Sequence, residues 1–122
     1  MYRSNVVLVL SPKAQKAMWK ELNNLGDCID RQVIEKMYYK PDKFAIDPNT
    51  GNVCLWWNQL LWSREYYEAY FWMLLMMKLS SSDYYLFRTG DAKGDIERLG
   101  KLKHDFRVSD QNEPSSNSVV AA

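Results

Sequence analysis

The segment "FRTGDAKGDIERLG", Phe87 to Gly100, sets Arg88 close to three acids, Asp91, Asp95 and Glu97, among glycines. Two chemistries follow from those residue types. Three carboxylates supply the oxygen ligands that a divalent cation takes, although the spacing is not that of an EF-hand loop. A guanidinium beside carboxylates instead forms bidentate pairs that fix a turn, and this second reading is favoured because arginine suits planar carboxylate geometry.

Little else in the chain points to catalysis. His104 is the only histidine, and with Cys28 and Cys54 it is too small a set for a structural zinc site. A Cys–His nucleophile pair needs an accessible thiolate, whereas both cysteines lie in apolar patterns that read as buried. They are expected to be free thiols of a reducing compartment. The string "GDAKGD" lacks both the Lys-Ser/Thr pair and the strand-to-helix setting of a phosphate loop. No catalytic residue, metal or cofactor is therefore expected. An enzymatic role ranks last, with the Arg88–Glu97 segment as its one credible centre.

Bulk composition points to binding. Sixteen Lys and Arg against 15 Asp and Glu leave a formal charge of +1, without the basic excess of proteins whose main task is gripping phosphates. Five Trp, eight Tyr and four Phe are a high aromatic load, and aromatics serve cores, protein interfaces and base-stacking platforms alike. The apolar start stops at Leu10, and the longest unbroken apolar run, Ala69 to Met77, falls far short of the ~20 residues that span a bilayer. A soluble, cytoplasmic protein with no membrane partner is expected.

The elements that must position these residues are readable in outline. "NVVLVL", Asn5 to Leu10, reads as a buried strand. Ser11-Pro12 starts a helix whose apolar face is Ala14, Met18, Leu22 and Leu25, and Gly26 closes it. Residues 28–39 keep a helical period through Ile29, Val33 and Met37, which favours a second short helix. Two strands flank the turn "DPNTG", and the second carries large apolar groups on both faces, so it is expected to be covered on both. Ser63 is placed to cap a helix running to Leu79, with Glu65 and Glu68 at its start. "YYLFRTG" alternates as a strand, "IERLGKL" reads as a helical turn and "HDFRV" as a final short strand. The fold class expected is α+β, a small sandwich of ferredoxin-like βαββαβ order with helices on one sheet face. It forms a single domain over residues 1–109, followed by a flexible tail over 110–122.

The helix "YYEAYFWMLLMMKL" is apolar on nearly every side. At 100° per residue, Tyr67, Tyr70, Phe71, Leu74 and Met77 cluster as the expected core face. Glu65 and Glu68 mark the opposite side, which continues through Trp72 and Met76. Another part of the chain, a second copy in a homodimer, or a different protein can cover that side, and Trp and Met are typical anchors of docking surfaces. The expected protein-binding residues are thus Trp72, Met76, Glu65 and Glu68, with Trp56 and Trp62 as second choices. The alternative is a single-stranded nucleic-acid module that stacks bases on Trp56, Trp57, Tyr85 and Phe87. Balanced charge and the missing RNP-type string weigh against it, and Lys13, Lys16 and Lys20 read more simply as a solvated helix face.

The string Arg88-Thr89-Gly90-Asp91, followed by Asp95-Ile96-Glu97 and Gly100, resembles an arrangement in small accessory proteins of tailed phages and their bacterial hosts. The resemblance spans residues 53–100, including the apolar helix. Ala92 and Lys93 stand where the pattern carries more acids. The resemblance implies a phage-encoded protein that binds and disables a host protein, a defence or metabolic factor, in the host cytoplasm.

Overall fold

The computed structural model describes residues 2–63 and 65–108, together with the backbone of 120–121. The elements run β1 (Ser4–Leu10), α1 (Pro12–Leu25), α2 (Ile29–Tyr39), β2 (Lys43–Ile46), β3 (Val53–Leu60), α3 (Tyr67–Lys78), a 3-10 turn (Ser81–Asp83), β4 (Tyr84–Gly90) and β5 (Ile96–Gly100). A two-residue β6 (Val120–Ala121) pairs with β2. The expected tail, 110–122, otherwise lies outside the described residues.

The protein is α+β, with an antiparallel sheet in the order β5-β4-β1-β3-β2 and β6 beyond β2. The simple ferredoxin-like βαββαβ order is not met. A further helix, α2, lies between α1 and β2, and a fifth strand extends the sheet past β4. That strand is the segment "IERLG", whose apolar residues at Ile96 and Leu99 mimic a helical period. Pairing decides against the helix: Leu99 lies opposite Leu86 and Glu97 opposite Arg88.

Local signals set the first half of the chain. The Ser11 hydroxyl accepts from the Ala14 amide at 3.1 Å, Pro12 fills the first helical position, and Gly26 ends α1 at φ 73°. Ala14, Met18 and Leu22 are buried as expected. The β2–β3 turn is closed by the Asp47 carboxylate, which accepts from the Asn49 amide at 2.9 Å. In α2 the buried pair is Ile34 and Met37, and Ile29, expected on the apolar face, is exposed.

Strand alternation divides the sheet into two faces, both covered. On one, Val6, Leu8, Leu10, Leu55, Trp57 and Leu86 pack against all three helices. On the other, Val7, Val9, Cys54, Trp56 and Phe87 lie beneath Phe106, with Leu102 and Val108 alongside. "HDFRV" is therefore not a strand. Residues 101–108 form an irregular strap whose apolar side chains roof the second face, hung from the 3-10 turn and the start of β4 by hydrogen bonds from the Lys101 amide to the Ser81 carbonyl and from the Leu102 amide to the Tyr84 carbonyl. No helix of the described residues is long and apolar enough to cross a membrane.

Candidate functional site

The orientation of α3 decides which residues can meet a partner. The helix begins at Tyr67 after Tyr66, without a side-chain cap. Ser63 instead closes a turn just before it: its hydroxyl accepts from the Glu65 amide at 3.2 Å and its carbonyl from the Tyr66 amide at 3.0 Å. Glu65 thus precedes the helix and does not mark one of its sides.

Glu68 does stand in the helix on the side of Trp72 and Met76, but it is half-buried and that side faces inward. Trp72 is 0% exposed and Met76 4%. Their neighbours are core residues. The Trp72 ring lies 5.5 Å from that of Trp57 and 5.4 Å from that of Phe71, and its indole N–H donates to the Met37 sulfur at 3.5 Å. Trp72 and Met76 are core, which corrects their expected docking role. Among the other expected contacts, Trp56 is buried on the second sheet face, Trp62 is half-buried against the helix-side core, Glu68 is half-buried and Glu65 is exposed.

Three residues of the expected core face look outward. Tyr70, Leu74 and Met77 are 44%, 36% and 80% exposed. The spacing of four and three makes them one stripe along α3. Beside the stripe, toward β5, lies a groove of about 550 Å³ walled by Tyr70, Met73, Leu74, Met77, Tyr84 and Leu99. On its other flank a smaller groove of about 120 Å³ separates α3 from α1, where Lys78 reaches Glu21 at 3.2 Å. A usable signal was present in the sequence. Lys78 follows Leu74 by four and Tyr70 by eight, so the one basic residue of α3 stands on the stripe that faces water. Leu99 joins this wall because its segment pairs as β5 and does not form the expected helical turn.

The Arg88 cluster has the opposite character. Arg88 donates to Asp95 through both terminal nitrogens, Nη2 to Oδ1 at 2.8 Å and Nη1 to Oδ2 at 3.2 Å. Its Nε donates to Glu97 at 3.0 Å, and Nη1 also reaches the Ser4 hydroxyl at 3.0 Å. The Tyr2 hydroxyl donates to Asp95 and accepts from the Ala92 amide. The Arg3 amide donates to Asp91 at 3.3 Å. Arg88 holds the Asp95 carboxyl below the usual carboxylate range, with Tyr2 adding to the effect, and Asp95 in turn raises the tyrosine. Gly90 allows this closeness, since a Cβ there would collide with the Asp95 carboxylate and the Tyr2 hydroxyl. The expected pairing of Arg88 with carboxylates is what the structure contains, and it ties the N-terminus to the β4–β5 hairpin. Among the described residues no group of three or more His, Cys, Asp or Glu side chains is placed to hold a metal ion.

The sheet aromatics are covered. Trp57 faces the helices, its indole N–H donating to the Met37 carbonyl at 2.9 Å. Trp56 and Phe87 are buried under the strap, while Tyr85 and Phe106 flank His104 at ring distances of 5.0 and 5.8 Å. Stacking of bases needs exposed ring faces; of the four expected platform residues Trp56, Trp57 and Phe87 are buried and Tyr85 is half-buried. Cys54 is buried, its thiol pushed up to about 12 by desolvation, and both cysteines are free.

No protein-family model, curated protein or solved structure matches the chain.

Proposed function

We propose that this is a protein-binding accessory protein that acts by occlusion, docking its partner on the outer stripe of α3 and the adjoining β5 groove. The observation that supports this reading is the row Tyr70, Leu74 and Met77, three large apolar side chains turned to solvent on a helix whose other side already fills the core. Contiguous exposed apolar surface of this kind marks interaction sites. Met and Tyr give such a surface the adaptable and amphipathic contacts that interfaces favour. The groove suits an amphipathic helix or an extended segment that presents leucine, phenylalanine or methionine anchors. The resemblance of residues 53–100 to tailed-phage accessory proteins supports a host protein of the cytoplasm as that partner. The protein would disable it by covering a working surface, with no reaction of its own.

The test is retention of a stoichiometric partner from host lysate at high salt, wild type against the double variant Leu74→Lys/Met77→Glu. The variant is expected to keep its fold and lose the partner. Retention of the same partner by the folded variant rejects the surface. A dimer of the wild type in sedimentation that the variant dissolves would assign the stripe to a second copy and reject the inhibitor reading.

A further inference from the structure

At its end β3 carries one residue more than β1 across from it. Val6 lies opposite Trp57 and Ser4 opposite Leu60, so two steps on β1 match three on β3. This is a bulge. Gln59 absorbs it at φ 56°, the only non-glycine at positive φ among the described residues. Glycine fills such a position at lower cost. The strain is held from both sides, for the Gln59 amide donates to the Asn5 side chain at 3.0 Å and its carbonyl accepts from Arg3 Nη1 at 2.9 Å. Strained residues held this firmly concentrate at ligand sites.

Gln59 stands on the wall of a cavity of about 370 Å³ between α2, the end of β3 and the approach to α3. The floor is apolar, with Met37 and Trp57 both buried. Because the Trp57 indole N–H is already bonded to the Met37 carbonyl, the residue offers its ring and no donor. The rim carries Arg3, Lys36 and Lys40 against a single acid, Glu68. Lys36 and Lys40 lie one helical turn apart and make no ion pair among the described residues. The volume falls within the ~300–1,000 Å³ of small-molecule sites, which combine an apolar lining with a few placed polar groups.

We propose that this cavity binds a small organic anion, a carboxylate or phosphate borne on a flat apolar body. The body lies against Trp57 and Met37, the anion meets Lys36, Lys40 and Arg3, and the Gln59 side-chain carboxamide orients the junction, its backbone N–H being held by Asn5. The site is separate from the α3 stripe and does not depend on it.

The test is an NMR titration of the full chain with naphthoate, its neutral counterpart naphthamide, and inorganic phosphate. Naphthoate is expected to saturate with shifts at the Trp57 indole and the Gln59 amide, and the other two to bind roughly tenfold more weakly or less. Lys36→Gln/Lys40→Gln should abolish the preference for naphthoate over naphthamide. Gln59→Gly separates binding from folding: it should raise the melting temperature by relieving the bulge and yet weaken naphthoate. Equal affinity for naphthoate and naphthamide, equal affinity for phosphate, absence of any saturable shift, or unchanged naphthoate affinity in Gln59→Gly would each overturn the proposal.

Discussion

The β4–β5 hairpin and the outer stripe of α3 are neighbours, and Glu97 borders both. In the hairpin, Arg88, Asp95, Glu97, Tyr2 and Ser4 answer one another with hydrogen bonds, and little is left to offer a ligand. Along α3, Tyr70, Leu74 and Met77 leave apolar surface in water, because the helix already meets the sheet through Phe71, Trp72, Leu75 and Met76. The residues whose types look most chemical are paired with one another. Of the side chains expected as core, Phe71 is buried, whereas Tyr70, Leu74 and Met77 are accessible. What a surface leaves unsatisfied says more about its use than how reactive its residue types are.

Breaking the inner side of α3 should have the largest effect. Trp72→Ala removes a fully buried ring and is expected to cost about 3–5 kcal/mol in denaturant unfolding. A loss under about 1 kcal/mol would mean that the helix is turned the other way.

The hairpin comes next. Arg88→Ala is expected to cost about 1–3 kcal/mol, since charge-assisted bonds to Asp95 and Glu97 are lost and the Ser4 hydroxyl loses a donor. Partner binding should survive, and loss of binding with intact stability would make the cluster a site in its own right.

Acid should separate the regions in sequence. Burial lowers the His104 pKa from its ordinary 6.5, so the unfolded chain takes up that proton first, and stability falls as pH drops below about 6.5. The strap should loosen there, seen as NMR shifts at Leu102 and Phe106. The lowered Asp95 acts later. Its contribution is complete above 3.8 and is lost as pH falls from there through its folded value. Simultaneous loss of both regions would contradict this order.

The smallest change in stability belongs to Leu74→Lys/Met77→Glu, within about 0.5 kcal/mol because both residues are exposed. The same variant should show the largest loss of binding.

How far the fold was legible follows from where its causes lie. The Ser11-Pro12 start, the Gly26 stop and the Asp47 turn are local chemistry, and each stands where the residues place it. The covering of both faces of β3 was also legible, since Cys54, Leu55, Trp56 and Trp57 leave no side for water. The phase of α3 was not legible. A helix apolar all round has no preferred inward side until its neighbours are placed; of the two acids that suggest its outer side, Glu65 lies before the helix and Glu68 is half-buried on the side of Trp72 and Met76. Five residues such as "IERLG" fit either a helical turn or a strand, and only the pairing of Leu99 with Leu86 chooses. The Arg88–carboxylate pairing was readable from residue types, whereas the part played by Tyr2 came from a distant stretch of chain. Gln59 carried no sequence signal, because nothing in its type announces a positive φ.

The most direct measurement is peroxide oxidation of the methionines, followed by mass spectrometry, on the protein alone and on the complex recovered from host lysate. In the free protein Met77 should oxidise rapidly while the neighbouring Met76 is protected, as their exposures of 80% and 4% require. In the complex Met77 should become protected as well. Equal oxidation of Met76 and Met77 in the free protein, or an unprotected Met77 in the complex, would contradict the outer stripe of α3 as the docking surface.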